Sequence, residues 1–229
     1  MNEDLLPDAL TLLERHARPD VVAGLARFGI PPQGRMGIAV PDLRRIARQL
    51  GRNQELADAL WDCGQPEARI LAGMVAEPAR MGVRQMDAWV RALDAWDVCD
   101  QLCGNAFAAS PHAWSRAQAW SARRAEFTRR AGFALLATLA VHDKAPGSER
   151  FIAALAWIEA AADDERNFVR KAVNWALRNI GKRNRVLNAA AIECAERIRA
   201  IDAPSARWIA ADALRELRSD AVQARWART

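Results

Sequence analysis

A chain of 229 residues in which 51% of the side chains are apolar can bury a sizeable core, which excludes a disordered linker or tail. The longest apolar run, AGFALLATLAV, is far too short to cross a bilayer, and the acidic opening MNEDLLPDAL lacks an apolar signal region; a cytoplasmic protein without membrane contact is expected. The net charge of +5 is uneven: residues 1–100 hold twelve basic and fifteen acidic side chains, net −3, whereas residues 101–200 hold sixteen and nine, net +7. Clustered positive charge attracts polyanions and gives salt-dependent binding, which makes nucleic acid the leading partner.

Alanine, leucine and arginine dominate, tyrosine is absent, and no run alternates apolar and polar residues with period two, so the chain reads as helices without strands. Breakers fall at Pro31 and Pro32, Pro41, Gly51, Gly64 to Pro66, Pro78, Pro111, Pro146 with Gly147, Gly181 and Pro204. They predict about a dozen helices of about 10 to 18 residues joined by short turns. No long linker divides them, so residues 1–229 are expected to form a single domain. Cys63, Cys99, Cys103 and Cys194 lack metal-ligand spacing, and His16, His112 and His142 are scattered away from any serine or cysteine nucleophile motif. Neither a metal nor a Ser/His or Cys/His hydrolase site is expected.

The stretch DAWDVCDQLCGNAF, from Asp94, reads as a helix N-terminus, with Asp94 as cap and Asp97 in the first turn. Cys99, Leu102, Cys103 and Ala106 form its apolar stripe and imply buried, reduced thiols. Trp96 and Asp100, four residues apart, share a face beside that stripe, and Gly104 leaves the same face open one turn later. Asp100 either pairs with one of the many arginines or serves a bound ligand; the local pattern leaves both open.

Two later segments resemble each other. EFTRRAGFALLATLAVHDK, from Glu126, aligns without a gap on NFVRKAVNWALRNIGKRNR, from Asn167, placing Phe127 on Phe168 and Arg130 on Lys171. A period near 40 in a helical chain indicates stacked helix pairs of the HEAT or armadillo kind. In the second segment Val169, Ala172, Val173, Ala176 and Ile180 make one apolar stripe at 100° per residue. Trp175 lies about 120° away from it, among Lys171, Arg178 and Lys182. From Arg166 to Arg185 there are seven cations, and no carboxylate follows until Glu193. Trp175 therefore either covers a junction between repeats or faces a polyanion.

The chain resembles the AlkD-type DNA alkylation repair proteins, the HEAT-like-repeat DNA glycosylases, through RMGIAVPDLRRIARQL, LWDCGQPEARILA, WDVCD, FTRRAGFALL and NFVRKAVNWALRNIGK, in family order. The resemblance implies an all-α, right-handed solenoid of HEAT-like antiparallel helix pairs with a concave basic face. It also implies a working cleft of two tryptophans, an aspartate and an arginine, which fall on Trp96, Trp175, Asp100 and Arg130. An aromatic wall contributed by an early helix, commonly tyrosine, corresponds by the resemblance to Phe28, a DNA-binding position that keeps the ring and loses the hydroxyl. Arg129 matches a variable position and receives no catalytic role.

By the same resemblance the expected activity is excision of positively charged N3- or N7-alkylated purines from duplex DNA, by a monomer, without metal or organic cofactor and without flipping the base. The cationic base is already a good leaving group. Asp100 would stabilise the oxocarbenium sugar and orient water, the two indoles would contact the sugar and attract the cation, and Arg130 would hold phosphates, helped by Lys171, Arg178 and Lys182. A non-catalytic binder of damaged or structured nucleic acid, or a HEAT-repeat protein-interaction scaffold, is the alternative.

Overall fold

A computed structural model describes residues 5–145 and 147–225; the predicted breaker Pro146 and the first four residues of the acidic opening lie outside them. The described residues are all-helical, with fourteen α-helices, two 3-10 turns and no strand. The count exceeds the expected dozen because two four-residue helices punctuate the turns. The chain divides into two compact units, Met1–Pro111 and His112–Thr229.

The first unit runs α1 (Leu6–His16), α2 (Pro19–Val22), a 3-10 turn (Ala23–Phe28), α3 (Val40–Leu50), α4 (Gln54–Asp62), α5 (Pro66–Val75), α6 (Val83–Arg91), α7 (Trp96–Asn105) and a 3-10 turn (Phe107–Ala109). Pro41 and Pro66 begin helices rather than end them: each sits in a first turn, where the missing N–H leaves no bond unmade. Gly51 closes α3 with φ 73°, a conformation that suits a residue without Cβ. Helices α3, α5 and α7 pack side by side, α4 packs on α5, and Trp61 of α4 stacks on Trp89 of α6 with centroids 4.4 Å apart.

The second unit runs α8 (Ala113–Ser121), α9 (Glu126–His142), α10 (Ser148–Glu159), α11 (Asn167–Gly181), α12 (Arg185–Arg199), α13 (Pro204–Leu217) and α14 (Asp220–Gln223). Helices α9, α11 and α13 form one layer and α8, α10 and α12 the other, enclosing Phe133, Phe151, Val173, Ile180, Ile198 and Leu217. The sequence repeat is the step from α9 to α11, which pack against each other with the Phe127 and Phe168 rings 5.6 Å apart. Successive helices of this layer begin at residues 126, 167 and 204, spacings of 41 and 37 that mark HEAT-like repeats. The two layers meet closely at Gly132, where a Cβ would lie 2.4 Å from the backbone nitrogen of Ser121.

Arg129 belongs to the frame. Its Nη1 donates to Asp164 Oδ2 at 2.8 Å, while Arg166 donates from Nε at 2.9 Å and from Nη2 at 2.6 Å, which locks the turn before α11 against α9. Burial pushes the Asp164 carboxyl up, but the hydrogen bonds from Arg166 and Arg129 outweigh it and hold it at about 2, against the usual 3.8. A carboxyl depressed in the folded state stabilises above the unfolded value and loses that contribution as pH falls through the folded value. Between pH 4 and pH 2 the protein should therefore lose about 2 kcal/mol that an Asp164→Asn variant does not lose, measured by denaturant unfolding at each pH.

Candidate functional site

In the first unit the site is built on α7. The helix begins at Trp96 after Ala95, which has extended backbone and offers no side-chain cap; Asp94 stands outside the helix and does not cap it, contrary to the sequence expectation. Its start is fixed by tertiary contacts instead. Asp97 receives Nη1 and Nη2 of Arg35 at 2.5 and 2.8 Å, and the Arg35 side chain is only 3% exposed. Gly73 of α5 allows α7 close: a Cβ there would sit 2.7 Å from Leu102 Cδ2.

Val98, Cys99, Leu102, Cys103 and Ala106 are buried, so the predicted stripe of reduced thiols and apolar residues is the packed face of α7. Trp96 and Asp100 are half-buried beside it, and Gly104 is exposed with open space around its Cα. The indole Nε1 of Trp96 donates to the Phe28 carbonyl at 3.0 Å, while Phe28 is 55% exposed, with the Arg27 guanidinium 4.7 Å over its ring. Phe28, Trp96 and Asp100 thus belong to one unit, and the link between the first two uses the backbone of Phe28, which is indifferent to a hydroxyl on the ring.

In the second unit Val169, Ala172, Val173, Ala176 and Ile180 are fully buried, as the 100° wheel requires. Asn167, Lys171, Trp175, Arg178 and Lys182 fall on the opposite, more open side of α11. Trp175 is half-buried: its indole packs against the edge of the core while standing on the same helical face as the cations. Those cations differ in state. Lys171 is exposed and makes no ion pair among the described residues. Arg178 Nη1 lies 2.7 Å from Glu216 and 3.5 Å from Asp212, and Lys182 Nζ lies 2.7 Å from Glu216. Burial raises the Glu216 carboxyl, but the Lys182 hydrogen bond and the Arg178 and Lys182 charges outweigh it, and its pKa is lowered.

Asp212 and Glu216, four apart on α13, are the residues that counting charge along the chain missed, because they come from the next repeat. Arg130, on α9, is buried and donates Nη1 to the Phe168 carbonyl at 2.6 Å, tying α9 to the first turn of α11. Among the described residues, no group of three or more His, Cys, Asp or Glu side chains is placed to hold a metal ion, and no helix is long and apolar enough to cross a membrane.

A family model described as DNA alkylation repair enzyme matches residues 9–226. No curated protein sequence matches the chain. Among solved structures, one is described as a new family of proteins related to the HEAT-like repeat DNA glycosylases with affinity for branched DNA structures. It superposes with a TM-score of 0.74 at 22% identity, over 84% of this chain and 82% of its own, a likeness of fold. A designed armadillo repeat protein aligns at 15% identity and a TM-score of 0.35, over 93% of this chain and 100% of its own.

Proposed function

The chain belongs to the DNA alkylation repair enzyme family, and from that premise we propose that it is a cytoplasmic, monofunctional DNA glycosylase that excises cationic N3- or N7-alkylated purines from duplex DNA. The observation that carries the reading is the Trp96–Asp100 pair: a carboxylate and an indole on one half-open face of α7, with the indole held by the Phe28 carbonyl. In the reaction the C1′–N bond breaks and its electron pair returns to the base, which leaves neutral. Water bonds to C1′ and loses a proton. Asp100 stabilises the positive sugar as that bond lengthens and accepts a hydrogen bond from the attacking water, while Trp96 packs against the sugar edge. No deep base pocket is required when the base stays stacked.

The second unit holds DNA. Lys171 supplies an exposed cation to the phosphates, and Trp175 extends from the same face. Arg130, buried against Phe168, acts as a positioning residue that keeps α9 and α11 in register. Arg178 and Lys182, already matched by Glu216, contribute less to phosphate binding than their number suggests.

A second reading, a non-catalytic binder of structured nucleic acid, is favoured by the likeness in fold to a protein with affinity for branched DNA. The deciding experiment is release of methylated bases from alkylated duplex DNA, with spontaneous depurination subtracted. Release at catalytic amounts of protein supports the glycosylase. No release above background at stoichiometric protein, with salt-dependent DNA binding retained, establishes the binder in its place.

A further inference from the structure

Trp208, on α13, is the exposed tryptophan among the described residues, with 38% of its surface open, although its neighbours Ile209, Ala210 and Ala213 are fully buried. The core of α13 is complete without it. Its ring partner is Arg170 of α11, whose guanidinium carbon lies 5.2 Å over the ring centroid; no second aromatic ring or cation among the described residues stacks on the indole. Arg170 has no carboxylate partner among the described residues. Among the described residues its side chain makes a long 3.5 Å contact with Asn167, and its Nε is buried with no acceptor.

The repeat explains the position. Arg130, Lys171 and Trp208 are each the fifth residue of their helix, α9, α11 and α13, so an indole occupies in the third repeat the place held by cations in the first two. The charge pattern points the same way. Farther along α11 and α13, Asp212 and Glu216 cancel Arg178 and Lys182. Among the described residues the positive charge left without a carboxylate along this part of α11 is that of Arg170 and Lys171, Arg170 being in contact with Trp208. A continuous duplex keeps its base faces stacked on one another and presents sugar, phosphate and base edges, which leaves an open indole face with no base face to stack on. An unpaired base has a free π face, and its flanking phosphates match the two cations.

We propose that Trp208, backed by Arg170, which Lys171 follows on α11, is a stacking platform for an unpaired base, and that it gives the chain a preference for DNA carrying unpaired nucleotides over continuous duplex. This rests on the DNA-binding reading above and adds a specificity to it that the Asp100 chemistry does not use. It also accounts for an aromatic left open to solvent where the preceding repeats carry cations.

The test compares two fluorescein-labelled probes of equal length and near-equal charge, a continuous duplex and a duplex with a central thymine bulge, by anisotropy at one salt concentration. The parent should bind the bulged probe about tenfold more tightly. Trp208→Ala and Trp208→Leu should both bring the bulged probe to the duplex level and leave duplex affinity unchanged; the leucine variant keeps the apolar volume and removes only the planar ring. Lys171→Glu should weaken both probes together. A preference that survives in either Trp208 variant overturns the platform, as does a parent without preference. A parent that binds neither probe fails at the DNA-binding reading itself, a separate result.

Discussion

Asp100→Asn is expected to lower excision of 7-methylguanine and 3-methyladenine by roughly 10² or more while leaving the melting temperature and duplex affinity near those of the parent. The substitution keeps size and removes charge, so it deletes the electrostatic stabilisation of a sugar cation that exists only as the glycosidic bond breaks. Duplex binding should hold or tighten slightly, because one negative charge near phosphate is gone. A carboxylate whose role is to brace a neighbouring guanidinium gives another signature: its loss strips a buried cation of its partner, and stability, binding and excision fall together. Single-turnover excision and a thermal melt on the same preparation separate the two. Full excision at unchanged stability would remove Asp100 from the mechanism.

Arg35→Met should cost about 3 kcal/mol, because it leaves the part-buried Asp97 carboxylate without either of its short hydrogen bonds. For a chain of this length the melting temperature should fall by on the order of 6–12 °C. The pair sits one turn from the proposed catalytic carboxylate: Asp97 is in the first turn of α7, next to Trp96 and three residues before Asp100. Excision should therefore fall along with stability, unlike in Asp100→Asn. The double variant Arg35→Met with Asp97→Leu should recover most of the stability, since replacing both members of a buried ion pair with apolar groups removes the orphaned charge. If the double variant is no more stable than the single one, the fold needs the pair for something other than charge matching.

The all-helical character, the buried stripes of α7 and α11, and the repeat that became α9 and α11 were legible from spacing, because helical periodicity is a property of consecutive residues. The family was legible through motifs kept in order along the chain; those motifs nominate Trp96, Asp100, Arg130 and Trp175 as the proposed set. The cap of α7 was misread. Asp94 has the right chemistry for a cap, yet a bidentate contact between Asp97 and Arg35, 62 residues apart, fixes the start of that helix.

What the sequence determined by itself was therefore local: which segments are helices, which face of each is apolar, and which residue types stand four apart on an open face. What only the tertiary structure decided was the state of those side chains, because it depends on groups that arrive from other repeats. The seven cations from Arg166 to Arg185 read as one basic stripe along the chain. In the fold Arg166 is spent on Asp164 and Arg178 and Lys182 on Glu216, which leaves Arg170, against the ring of Trp208, and Lys171 as the two of these five with no carboxylate partner among the described residues. Coulomb energy and hydrogen bonding act over a few ångströms of space, and the carboxylate that meets Arg178 and Lys182 stands 38 and 34 residues away in sequence, in the next repeat.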